Sequence, residues 1–147
     1  MTTAIGSDIQ ITWLAPDNRG SAITSYVISM RGGDGITYFV NLADCNGANA
    51  LIRAAQSCLV PFASLRTTPF SLQWGAEVYA KVTAINAYGT SASSEGGNGA
   101  RIQRVPDVPI GLANVATITT GTQIGLTWSQ GVENGGTLVI DYTIQYD

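Results

Sequence analysis

Two stretches of this chain repeat each other, and the repeat restricts the available folds more than any other feature. Residues 8–14 read Asp-Ile-Gln-Ile-Thr-Trp-Leu, and residues 123–129 read Gln-Ile-Gly-Leu-Thr-Trp-Ser. In each, apolar residues alternate up to a tryptophan: Ile9, Ile11 and Trp13, then Ile124, Leu126 and Trp128. A period of two places each set on one face of a half-buried strand. A loop follows each tryptophan, and then glycine, a branched aliphatic and tyrosine recur at the same spacing: Gly20, Ile23, Tyr26 and Gly136, Val139, Tyr142. The strand pattern continues through 26–30 and 142–146. The tryptophans lie 115 positions apart and the tyrosines 116, so the second copy carries one extra loop residue. A unit of this kind cannot bury its apolar face alone and must pack against further strands.

Further strands are predicted between the copies. Ile36–Leu42 is rich in Tyr, Phe and Val, and Ser57–Val60 is a short run ending at Pro61. Over Ala76–Asn86, Val78, Ala80, Val82 and Ala84 alternate with Tyr79, Lys81 and Thr83 on the other face. Ser91–Gln103 is interrupted by Gly96, Gly97 and Gly99, as suits a bulged or bent edge strand. Ala48–Gln56 is alanine-rich and predicts one or two helical turns. Short strands at this spacing predict an all-β, two-sheet sandwich.

Composition narrows the chemistry. The 147 residues include seventeen glycines and no histidine, which removes Ser-His-Asp and Cys-His nucleophilic pairs and imidazole metal sites. Seven basic residues are scattered in a chain of net charge −3, so no nucleic-acid partner is expected. No segment approaches eighteen consecutive apolar residues, and no direct membrane insertion is expected. The ten acids are dispersed and mostly flank turns, which predicts no catalytic residues and no enzyme activity.

Cys45 and Cys58 enclose a polar loop containing Asn46, Gly47 and Asn49. A disulfide is expected there, since so polar a loop gives thiols little reason to be buried; the alternative is two unrelated buried thiols. The bridge would stabilise by about 3 kcal/mol in the chain-entropy model and implies an oxidising, extracellular setting. Asp44, Asn46, Gly47 and Asn49 open like an oxygen-ligand calcium loop, but the terminal glutamate is absent. An Asx-rich turn is the expectation, with no metal and no cofactor. Arg31-Gly32-Gly33-Asp34 reads as a plain hairpin turn, its extra glycine separating guanidinium from carboxylate. Trp74, in a Gln-Trp-Gly turn outside the alternation, is expected to cap the core or contact a neighbouring module. No Asn-x-Ser/Thr sequon occurs, whereas the abundant Ser and Thr leave O-glycan open.

The run Trp13…Pro16…Gly20-x-x-Ile23-x-x-Tyr26, followed by Val82-x-Ala84-x-Asn86-x-x-Gly89 and Ser91, resembles the immunoglobulin-like fibronectin type III family. The resemblance implies one near-complete module at 1–103 and a Pro-containing linker at 104–109. Residues 110–147 would then be a partial second module, comprising its strands A to C. It implies that Trp13 and Tyr26, and Trp128 and Tyr142, are core residues. One departure stands out: the family's tyrosine six residues after a leucine is here Val78 after Leu72, so the turn must be held otherwise, with Pro69, Phe70 and Trp74 the residues expected to do it. More narrowly, Asp44-Cys45-Asn46-Gly47, Ser57-Cys58-Leu59-Val60-Pro61 and Asp141-Tyr142-Thr143-Ile144 are similar to tandem modules of large cell-surface proteins of ciliated protists.

What this implies is an extracellular or cell-surface structural array, with neighbouring modules or other copies as partners. Its second unit would present a bare apolar face including Ile124, Leu126, Ile144 and Tyr146. That face is expected to be covered by more of the same polypeptide or by strands of another copy. The competing expectation is a recognition module that binds a protein or glycan through the loops at 15–22, 32–35 and 86–90.

Overall fold

The computed structural model describes residues 1–146, in two compact units, Met1–Ile102 and Gln103 onward. The first unit is built almost wholly of antiparallel strands. Strands β1 (Thr2–Ile5) and β2 (Asp8–Thr12) form a hairpin, and β2 also pairs with β5 (Ser57–Pro61), giving a sheet of order β1-β2-β5. A second sheet contains β3 (Ser25–Arg31), β4 (Tyr38–Val40), β6 (Glu77–Asn86), β7 (Gly89–Thr90) and β8 (Gly97–Arg101). Its order is β4-β3-β6, with β7 and β8 both paired to β6.

The alternation read from the sequence decides which face is buried. Ile9 and Ile11 of β2 and Val60 of β5 meet Tyr26, Ile28 and Met30 of β3 and Val78 and Ala80 of β6 in one apolar cluster. Leu65, Phe70, Leu72 and Ile102 close it. The outward residues of β3 and β6, among them Arg31, Tyr79 and Lys81, are half-exposed.

Several boundaries differ from those expected, each for a local reason. The tryptophan strand is preceded by β1, turned back at Gly6 and Ser7, where Gly6 has φ of 59°. A two-residue hairpin needs this left-handed conformation, which suits glycine. The predicted 36–42 strand shortens to Tyr38–Val40. Asp34 accepts the N–H groups of Ile36 and Thr37 at one end, and Asn41 those of Ala43 and Asp44 at the other.

The predicted 91–103 strand splits. Ser91 and Ser94 hydroxyls accept the Ala84 and Val82 N–H groups, so side chains replace the regular ladder until Gly97. The register then shifts between Val78 and Ala80, a bulge at the expected edge. The expected helical turns are α1 (Ala50–Ala55), whose first N–H groups are capped by Asn49. An unexpected helix, α2 (Phe62–Arg66), follows Pro61 and buries Phe62 and Leu65.

The second unit has two strands among its described residues, β9 (Ile110–Asn114) and β10 (Leu126–Ser129), paired antiparallel. The predicted strand start at 123 moves to 126 because Gly125 bonds into the preceding loop, its N–H to Thr119 Oγ1 and its C=O to the Val115 N–H. Residues 142–146 keep their alternating pattern but form no strand. Their counterpart β3 is held by β6, and no strand equivalent to β6 stands among the described residues of this unit. An isolated strand leaves its backbone groups to water and does not persist.

Candidate functional site

The tryptophan of each repeat meets the tyrosine of the same repeat. Trp13 and Tyr26 lie edge-on with centroids 5.3 Å apart and planes at 64°. Trp128 and Tyr142 do the same at 5.5 Å and 65°. Such pairs are worth about 1 kcal/mol beyond the area they bury. Tyr26 is buried, whereas Trp13 is half-buried with its ring packed on the core. Trp128 and Tyr142 are both half-buried, and among the described residues of the second unit no apolar side chain is fully buried. Of the four residues expected on its bare apolar face, Leu126 is at the margin of exposure at 36%, and Ile124, Ile144 and Tyr146 are well exposed.

Cys45 and Cys58 are bonded, with Cα atoms 5.3 Å apart. Cys58 sits on β5 of the first sheet. The Cys45 side of the loop is anchored to the second sheet, where the Tyr26 N–H of β3 donates to the Gly47 carbonyl at 3.1 Å. Gly47 is buried, and a Cβ there would overlap the Tyr26 carbonyl oxygen, so glycine is required for the close approach. The polar side chains of this loop turn onto its own backbone. Asn46 accepts the Ala48 N–H, Asn49 caps α1, and Asp44 accepts from the Asn41 amide at 2.6 Å. Arg53 of α1 donates to the carbonyls of Thr24 and Ala48.

The far end of the first unit carries Trp74 as a cap. Its ring meets Phe62 edge-on at 6.4 Å, with the Arg66 guanidinium 4.0 Å over it. Phe70 is buried against Phe39, and its carbonyl accepts the Gly33 N–H at 2.7 Å. Phe70 is thus part of the core and Trp74 packs against it, both shortly before β6 begins. Pro69, which follows a cis peptide bond, is exposed.

The sheets are also joined through Thr2, which is buried. Its hydroxyl donates to the Val78 carbonyl of β6 at 3.0 Å and accepts the Ala100 N–H of β8 at 3.1 Å. No sequence pattern marks this residue, because its partners are 76 and 98 positions away.

On the outer face of the second sheet, cations and tyrosines interleave. Arg31 lies 3.7 Å over the Tyr79 ring and Lys81 4.6 Å over that of Tyr38. Glu77 accepts from the Tyr79 hydroxyl at 2.9 Å and from Arg101 at 2.7 Å. These bonds hold its carboxyl below the ordinary glutamate range, the Tyr79 hydroxyl contributing most and Arg101 next. The outward alternation of Tyr79, Lys81 and Thr83 was visible in the sequence; their meeting with Arg31 and Tyr38 depends on register. Asp34, in the hairpin turn after β3, is also lowered, first by the Thr37 hydroxyl and then by the Ile36 and Thr37 N–H groups.

Two clefts open on the first unit. One, of about 810 Å³, exposes the core edge between Ile11, Trp13 and Tyr26 on one side and Ala80, Val82 and Ala84 on the other. Trp13 Nε1 is buried and has no hydrogen-bond partner among the described residues. The other, of about 470 Å³, lies between 16–19 and 84–91, with Tyr88 at its edge. No helix among the described residues is long and apolar enough to cross a membrane. No family model matches the chain.

Proposed function

We propose that this chain is part of an extracellular or cell-surface array of fibronectin type III-like sandwiches, and that its role is structural rather than catalytic. The observation that carries the reading is the paired ring geometry. Two tryptophan–tyrosine contacts, 115 residues apart in sequence, agree within 0.2 Å and 1°. The sheet orders β1-β2-β5 and β4-β3-β6-β8 support the family, since they correspond to the A-B-E and C′-C-F-G arrangement of such sandwiches. The bonded cysteines support an oxidising compartment. The partners in this reading are neighbouring modules of the same polypeptide or other copies, and no cofactor takes part.

The intact mass of the native polypeptide tests the proposal. An array predicts a mass many times 15.4 kDa. A native polypeptide of 15.4 kDa, monomeric in solution, refutes it.

A recognition role has one observation in its favour. Of the three loops expected to bind, 15–22 and 86–90 meet at the smaller cleft, where Tyr88 is 91% exposed. Exposed tyrosine is a common anchor for protein or glycan partners. Substitution Tyr88→Ala, followed by binding to immobilised glycans and cell-surface extracts, distinguishes this role from a purely structural one.

A further inference from the structure

Strand β4 is the outer strand of the second sheet, paired only with β3, and it lies well inside the first unit. The Gly32 N–H donates to the Thr37 carbonyl at 2.8 Å, and the β3–β4 register pairs Met30 with Phe39. Backbone groups alternate in direction along an antiparallel strand, so those of Thr37 and Phe39 face β3, whereas those of Tyr38 and Val40 face outward. These outward N–H and C=O groups have no partner among the described residues.

Exposed edges are ordinarily guarded by a charge, a proline or a bulge. Residues 36–42 read Ile-Thr-Tyr-Phe-Val-Asn-Leu, with no charge and no proline, and the β4 register is unbroken. Ile36, Val40 and Leu42 are all exposed. Other edges of this unit are occupied. Thr2 of β1 bonds across to β6 and β8, and the Ser91 and Ser94 hydroxyls take the outward N–H groups of β6.

The segment is also its own complement. Counted outward from Phe39, Tyr38 matches Val40, Thr37 matches Asn41 and Ile36 matches Leu42, so apolar answers apolar and polar answers polar. We propose that β4 is a pairing edge for a second copy of this chain, the two β4 strands lying antiparallel about a two-fold axis at Phe39. In that register Tyr38 of each copy faces Val40 of the other, and each pair exchanges both N–H···O=C bonds through the groups left free. On the outer face this sets an aromatic ring beside a branched aliphatic, a favourable cross-strand pair.

The pairing asks nothing of the core, because Phe39 stays packed there against Phe70. The acids nearest in sequence, Asp34 and Asp44, lie in the flanking turns outside the paired residues. Asp34 accepts the Ile36 and Thr37 N–H groups, and Asp44 accepts from the Asn41 amide. The contact is isologous and short, so it is weak between single chains and gains strength where many copies are tethered together. This goes beyond the array reading and does not rest on it, since it needs only a second copy.

The test is sedimentation equilibrium of the full chain from micromolar to millimolar concentration, with amide hydrogen exchange measured at both ends of the range. The expected result is a reversible monomer–dimer equilibrium in which exchange of the Tyr38 and Val40 amides slows as the dimer fills. Val40→Lys puts a charge at the seam on an exposed position and is expected to weaken dimerisation at least tenfold. Leu59→Lys, similarly exposed on β5 of the other sheet, is expected to leave it unchanged. A chain that stays monomeric at millimolar concentration overturns the proposal. So does a dimer that Val40→Lys leaves intact, or one in which the Tyr38 and Val40 amides exchange as fast as in the monomer. Equal weakening by Leu59→Lys also overturns it, in favour of unspecific apolar contact. The array reading survives any of these failures, because the mass of the native polypeptide tests it separately.

Discussion

Replacing Thr2 by valine removes one oxygen from the centre of the first unit while keeping its shape. The Thr2 hydroxyl both receives the Ala100 N–H and donates to the Val78 carbonyl, and the residue is only 2% exposed. Valine fills the same volume but leaves a donor and an acceptor facing a methyl group, out of reach of water. Each neutral bond contributes about 1 kcal/mol net, and a buried group left unmatched costs about 1–3 kcal/mol, so Thr2→Val is expected to destabilise the unit by about 2–4 kcal/mol. Thr2→Ser keeps the hydroxyl and loses one methyl, for which about 1 kcal/mol is expected. Urea denaturation followed by tryptophan fluorescence, with the disulfide intact, measures both. The expected order is wild type, then serine, then valine. If valine costs less than serine, packing rather than the hydroxyl bridge holds β1 to the second sheet, and the account of how the sheets are joined is refuted.

Gly47→Ala is expected to cost about 2–4 kcal/mol, since the new methyl overlaps the Tyr26 carbonyl and displaces a backbone bond. Gly121→Ala, where nothing lies within 4 Å, is the control in the same denaturation assay and is expected to be near neutral. Stability is expected to fall as pH drops. The carboxyls of Glu77 and Asp34 titrate lower in the folded chain than in the unfolded one. Their contribution is therefore complete above the ordinary carboxylate range and is lost as pH falls through the lowered folded values. Both groups are exposed, so the effect is a shallow slope in midpoint against pH, and Glu77→Gln flattens part of it. A slope unchanged in that variant contradicts the role given to the Tyr79 and Arg101 contacts.

The repeat was legible because it depends on short-range rules. Period-two alternation gave the inward residues of β2, β3 and β6, and the spacing from tryptophan to tyrosine survived one inserted residue. The cysteine pair was legible from the polarity of its loop. What escaped depends on partners distant in sequence. Thr-Thr-Ala-Ile carries no alternation, and β1 exists because Thr2 finds β6 and β8 across the core. The segment 91–96 looked like strand, but its serine hydroxyls stand where ladder carbonyls would be. Helix α2 left a faint mark, Phe62 and Leu65 three residues apart after Pro61, too short to separate from the preceding strand. Residues 142–146 make the complementary point, since alternation permits a strand and only a neighbouring strand makes one.

Single-molecule extension of the native polypeptide tests the structural account most directly. A tandem array predicts successive unfolding peaks at a common spacing. With the modules about 115 residues apart and the residues between Cys45 and Cys58 held behind their bond, that spacing is roughly 350 Å. Reduction is predicted to lengthen each step from a module carrying this cysteine pair by about 40 Å, the contour from Cys45 to Cys58 less the 5.3 Å between their Cα atoms that the bond already spans. A single rupture followed by featureless extension, or peaks with no shared spacing, contradicts the account.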